Sequence, residues 1–113
     1  MAELSSIARP YAQAVFELAK DLGHYGPWSE ALGFLAKVAA DKDMAALFSN
    51  PRVSRQQAAD IVIELLGEAV GDEPKNLVRL LAQNHRLQAL SAIAEQYEIL
   101  RAEAERTIRA ELE

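Results

Sequence analysis

The stretch ARPYAQAVFELAK, residues 8–20, sets apolar side chains at helical spacing without confining them to one stripe. At ~100° per residue, Ile7, Tyr11, Ala14 and Leu18 fall on one line of the helix. Ala8, Ala12, Phe16 and Ala19 form a second line roughly 100° away, with Val15 between them, so the apolar arc spans roughly 200°, about twice that of a one-sided surface helix. A later segment repeats the feature. In residues 74–84, Leu77 and Leu81 sit centrally, Val78 and Ala82 extend to one side and Leu80 to the other, leaving Asn76, Arg79 and Gln83 as a narrow polar side. Two arrangements account for such arcs. Either both helices are central in a bundle and covered on every apolar face, or one edge of each stays open and the pair forms a groove for an amphipathic helix of a partner. Periodicity alone leaves both open.

Outward from these two segments the chain reads as all-α. Ala, Leu, Glu, Arg and Gln dominate, and Gly or Pro stand mainly between periodic segments. The first helix is expected to open at Ser5 or Ser6 and run to Leu22, with Pro10 near the first turn, where a missing N–H costs least. GHYG, residues 23–26, closes it, and Pro27 pre-sets a second helix over 28–42 whose Trp28, Leu32, Leu35, Val38 and Ala39 step by three and four. Trp28 reads as a core anchor. A short helix over 44–48 follows. Ser54 and Gln57 make a capping box for a fourth helix ending at Leu66, before Gly67. Asp72 is expected to cap a fifth over 74–84, with Glu73 favouring the positive end of its dipole. A sixth starts near Leu87 and keeps Leu90, Ile93, Ala94, Tyr97, Leu100 and Ala104 on one face. From Thr107 to Leu112 the pattern suits a strand as well as a frayed helix end, so the chain reads as stopping in, or just before, a further element. The fold class is thus an all-α six-helix bundle of five substantial helices and one short one.

Composition narrows the function. With 113 residues, 50% of them hydrophobic, the chain holds one modest core. It carries 12 basic against 17 acidic side chains, net −5, and no basic run beyond two residues, which speaks against phosphate-driven binding of nucleic acid. There is no cysteine, hence no disulfide, thiolate metal site or cysteine nucleophile. The N-terminus lacks the basic n-region of a secretory signal, and no apolar run nears the ~20 residues needed to span a bilayer. His24 and His85 belong to no metal-binding pair and read as loop or helix-end residues. No nucleophile elbow, phosphate loop or dinucleotide fingerprint occurs, and the carboxylates read as a solvated face, so an enzyme is not expected.

Three stretches then carry a resemblance. ARPYAQAVFELAK near the start, FSNPRVS in the middle and KNLVRLLAQNHRLQAL later resemble the N-terminal domain of the ATP synthase delta (OSCP) family, in order and spacing, across essentially the whole chain. The resemblance implies a six-helix bundle on top of the catalytic F1 head, binding the N-terminal helix of an alpha subunit, while a second, smaller domain meets the b subunits of the peripheral stalk. Residues 1–105 would then be the helical domain and 106–113 the start of the connection to the second. The implied role is a non-catalytic stator, without cofactor or metal, peripheral at the cytoplasmic face of the bacterial inner membrane and without direct membrane insertion. The alpha-subunit helix would lie against the first and fifth helices, which by motif position points to Tyr11, Ala14, Leu18, Leu77, Leu80 and Leu81. The Tyr11, Ala14 and Leu18 line is then assigned to docking and the Ala8, Ala12, Phe16 and Ala19 line to the core. Asn84 and Arg86 fit as caps and turn residues. The family often has glycine where this chain has His85, which implies a somewhat different turn backbone. The rival reading is a stand-alone helical scaffold or regulator that binds a basic partner through its acidic surface, with salt-sensitive association.

Overall fold

The decisive stretch lies within one long helix, α1 (Ala2–Leu22), in the computed structural model, which describes the backbone of residues 2–112 and side chains over 4–106 other than residue 69. There follow α2 (Tyr25–Ala40), α3 (Lys42–Ser49), α4 (Arg55–Leu66), α5 (Asp72–Gln83) and α6 (Leu90–Leu112), with short 3-10 turns at Gly67–Ala69 and Leu87–Ala89. The expected all-α bundle of five substantial helices and a short one is what forms.

Several helix ends shift for identifiable reasons. Helix α1 starts before Ser5, so Pro10 lies inside it and not in its first turn. The extra turn is held from outside. Leu4 and Ile7 pack on the core, and Gln96 of α6 donates its amide to the Ser5 carbonyl at 2.8 Å. The C-terminal end of α1 is a glycine stop: Gly23 takes φ 71°, with the His24 amide bonded to the Ala19 carbonyl at 2.8 Å and the Gly23 amide to that of Lys20. Tyr25 and Gly26 then belong to α2, and Pro27 falls in its first turn, where its missing donor leaves nothing unpaired. Asp41 ends α2 and caps α3, accepting from the Met44 amide at 3.0 Å, so α3 starts earlier than residue 44. The expected capping box is present: Ser54 Oγ accepts from the Gln57 amide at 3.0 Å and Gln57 Oε1 from the Ser54 amide at 2.9 Å. On α5 the cap is Gly71, and Asp72 is the first helical residue, joining Glu73 at the positive end of the dipole. Residues 107–112 continue α6 as helix.

Helix α6 organises the packing, with α1 and α2 lying along it, while α5 packs mainly on α4. The core gathers Ala8, Ala12, Val15 and Ala19 of α1 with Trp28, Leu32 and Leu35 of α2, Ala59 and Val62 of α4, and Leu90, Ile93 and Tyr97 of α6. Phe16 is half-buried and stacks on Tyr25 at 5.8 Å between ring centres. Two polar clasps reach from α6 to α2: the buried Tyr97 hydroxyl donates to the Tyr25 carbonyl at 2.7 Å, and Arg101 donates to Ser29 Oγ at 2.6 Å.

Burial pushes the Tyr97 phenol above its ordinary value of 10.0. The neutral form is therefore favoured in the fold, and this contribution to stability is present below pH 10.0 and lost as pH rises through the shifted value. Tyr97→Phe is expected to lower the unfolding free energy by about 1 kcal/mol in urea melts near neutrality. It should also reduce the loss of stability seen as pH is raised beyond 10.0.

Candidate functional site

Two polar ties set α1 and α5 side by side and antiparallel. Asn84, which ends α5, donates its side-chain amide to the Tyr11 hydroxyl at 3.1 Å. At the other end His24, just past α1, stands 4.0 Å from a Glu73 carboxylate oxygen in the first turn of α5. The buried turn Leu87–Ala89 packs against both helices and holds them on one base. Between the ties the two helices do not pack closely on one another, since their main packing partners are α6 and α4.

Helical spacing specifies what lines the space between them. On α5, Glu73, Leu77, Leu80 and Asn84 are separated by four, three and four residues and so share one face. On α1, Tyr11, Ala14, Leu18 and Leu22 do the same by three, four and four. At 1.5 Å per residue the eleven-residue step from Glu73 to Asn84 gives a trough roughly 17 Å long, about three helical turns. Each stripe carries exposed apolar surface: Leu18 is 40% exposed, Leu22 49% and Leu80 46%, Ala14 is exposed, and Tyr11 is half-buried. Leu77 at 9% lies at the floor, and Leu81 is fully enclosed in the core.

The six residues singled out from the sequence thus divide. Tyr11, Ala14, Leu18 and Leu80 line accessible surface, whereas Leu77 and Leu81 support it from beneath. Leu81 falls behind because it lies one residue past Leu80, about 100° further round, on the side that meets the core. Conversely, Leu22 extends the α1 stripe and was not singled out; its position four residues after Leu18 was the available signal. Asn84 acts as a helix end and also as the tie to Tyr11. Of the line expected in the core, Ala8, Ala12 and Ala19 are fully buried and Phe16 is half-buried, stacked on Tyr25.

The turn after α5 is held by a third set of contacts. His85 takes φ 55°, the left-handed conformation that glycine adopts without strain, and its amide and that of Arg86 bond back to the Ala82 and Leu81 carbonyls at 3.1 and 2.7 Å. A non-glycine residue therefore occupies a backbone conformation suited to glycine. Arg55 of α4 secures it, donating Nε to His85 Nε2 at 2.6 Å and Nη1 to the Gln83 carbonyl at 2.9 Å. No cluster of three or more His, Cys, Asp or Glu with metal-binding geometry occurs among the described residues. The trough offers apolar docking surface between polar ends, the form that receives one face of an amphipathic helix.

Residues 7–113 match the family described as ATP synthase delta (OSCP) subunit. Among curated relatives, the ATP synthase subunit delta of Alkalilimnicola ehrlichii is 55% identical over 106 residues, covering 93% of this chain and 59% of the relative. That of Thioalkalivibrio sulfidiphilus is 48% identical over 110 residues, covering 97% and 62%, and that of Laribacter hongkongensis 45% over 112, covering 99% and 63%. The chain thus spans about three fifths of the length of these relatives.

His85→Gly is expected to raise the unfolding free energy by about 0.5–1 kcal/mol in urea melts, by removing left-handed strain from a non-glycine residue. His85→Ala, which keeps the strain and loses the Arg55 contact, should instead lower it.

Proposed function

Because the chain belongs to the ATP synthase delta (OSCP) subunit family, we propose that it is a non-catalytic part of the stator of an F-type ATP synthase, and that the α1/α5 trough receives the N-terminal helix of an alpha subunit of the F1 head. In this reading residues 1–105 form the head-binding domain. Residues 106–113 lead into a second domain that meets the b subunits of the peripheral stalk. The protein works peripherally, at the cytoplasmic face of a bacterial inner membrane, and among the described residues no helix is long and apolar enough to cross a membrane.

One observation carries the reading: the stripes of α1 and α5, linked at both ends, leave Ala14, Leu18, Leu22 and Leu80 exposed, while Ala8, Ala12, Val15, Ala19, Leu77, Val78, Leu81 and Ala82 are buried and Ile7, Tyr11 and Phe16 are partly buried. A trough of about three turns suits a helix that buries two or three apolar side chains along one face. The mechanism asks for no chemistry at the site. Torque from the turning central shaft acts on the head, and a stator subunit must hold the head against it, so that rotation drives nucleotide exchange and synthesis. What the site must supply is affinity and stiffness. Leu18, Leu22 and Leu80 supply apolar area, at ~25 cal/mol per Å² of surface removed from water before the costs of association. Ala14 supplies closeness, since a side chain ending at Cβ lets a partner helix approach the α1 backbone. The ties at Tyr11–Asn84 and His24–Glu73 hold the walls apart at a set spacing before the partner arrives, which lowers the ordering cost of binding.

Titrating the isotope-labelled chain with an alpha-subunit N-terminal peptide should shift amides of α1 and α5 and leave α3 unmoved. Ala14→Asp should weaken that binding by about tenfold or more, since it sets a charge within an apolar contact. Because Ala14 is exposed, its melting temperature should hold. Unchanged affinity would count against the groove. Binding by the trough should persist at moderate salt, whereas a basic partner held on the acidic surface would be released.

A further inference from the structure

A second opening lies between α2, the end of α4 and the start of α5, and shares with the trough only the His24 and Glu73 pair. It is a cleft of ≈ 520 Å³ whose walls include Trp28, Val70, Pro27 and Pro74. That volume falls in the range of sites that accept a bulky side chain or small ligand. On its lips stand two large apolar residues, Phe34 at 42% and Leu65 at 49% exposed. Both are beyond the reach of the trough's own stripes: Phe34 is on α2 and Leu65 on α4. Its polar edge is acidic. Glu30 and Glu73 line the cleft; Glu30 has no ion-pair partner among the described residues, and Glu73 has only His24 at 4.0 Å.

We infer that this cleft is a second docking site, whose occupant is a segment of a partner polypeptide that sets a bulky apolar side chain against Trp28 and carries a Lys or Arg over Glu30 and Glu73. Two arguments select that occupant. Phe34 and Leu65 flank the opening and stand out of it, so a segment laid across both lips covers apolar surface that a small molecule sunk between them leaves wet. The acidic edge selects a cation, and Lys or Arg meets it while extending an aliphatic stem over the apolar wall. A second copy of this chain is disfavoured, because it carries the same net charge of −5. The site lies beside the trough and meets it only at His24 and Glu73.

A short blocked peptide repeating Leu-Lys-Lys-Leu, and its counterpart with Glu in place of each Lys, provide the test, read by amide shifts in the labelled chain. The Lys peptide should bind saturably with its largest shifts around Phe34, Leu65 and Glu73, and the Glu peptide at least tenfold more weakly. Phe34→Ala combined with Leu65→Ala should weaken the Lys peptide about tenfold, the scale of losing an anchoring contact. Both positions are exposed, so an unchanged melting temperature confirms the variant is folded. Glu30→Gln with Glu73→Gln should remove most of the preference for Lys over Glu. Ala14→Asp should leave Lys-peptide binding unchanged, which separates this site from the trough. Equal binding of the two peptides, shifts centred on Ala14 and Leu18, indifference to the Phe34 and Leu65 substitutions, or self-association through these lips would each overturn the assignment.

Discussion

The close packing of α1 along α6 is the constraint on which the rest of the molecule depends. Three of the four fully enclosed positions on α1 are alanines, Ala8, Ala12 and Ala19, with Val15 the largest. Small side chains bring helix backbones near one another, toward the short end of the usual 8–10 Å separation. They also concentrate the bulk of the core on the other partners, Leu90, Ile93 and Tyr97 of α6 and Trp28, Leu32 and Leu35 of α2. With the alanine line of α1 buried in the core, Ala14, Leu18 and Leu22 are left at the surface, with Tyr11 half-buried against the core edge. The outward face is a by-product of the inward one.

Helix α5 reaches its place by a different route. Val78, Leu81 and Ala82 are buried while Leu80 is exposed, and its main neighbour is α4. Nothing apolar draws α5 tightly onto α1. The two are positioned by polar contacts at their ends, Tyr11 with Asn84 and His24 with Glu73, and by the shared base at Leu87–Ala89. Exposed polar ties of this kind contribute little to stability. They mark the two ends at which α5 and α1 come together. The Arg55, Gln83 and His85 contacts extend the same logic to the turn from which Asn84 projects.

The interior of this member of the ATP synthase delta (OSCP) family is almost wholly apolar. Among the described residues no polar or charged residue is buried apart from the hydrogen-bonded phenol of Tyr97, and no buried side-chain polar atom lacks a partner. The α1/α5 trough and the cleft beside α2 meet at the His24 and Glu73 pair and differ in character. One is apolar along its length and the other has an acidic edge.

Much of this was legible in the residues themselves. Helix number and order followed from three-and-four spacing, from the Ser54 and Gln57 capping box and from glycine stops, because these are local interactions within a few residues of one another. On α1 the line expected in the core is buried at Ala8, Ala12 and Ala19 and half-buried at Phe16, while Ala14 and Leu18 of the other line are exposed, because a separation of roughly 100° around one helix places the two lines on different sides of it. What local pattern could not supply was which arc edge would be covered. Periodicity set Leu77 and Leu81 at the centre of the α5 arc with Leu80 and Val78 at opposite edges, and only the tertiary packing left the Leu80 edge outside and enclosed the Val78 edge. Pro10 and Asp72 shifted from their expected stations because helix ends are set by whichever nearby group satisfies the free N–H and C=O, including groups such as Gln96 from a distant helix. The sequence by itself determined that two helices would carry more apolar surface than one side of a bundle can bury. The tertiary structure decided where the excess went, because burial is a property of neighbours separated by tens of residues along the chain, and no periodicity within a single helix encodes them.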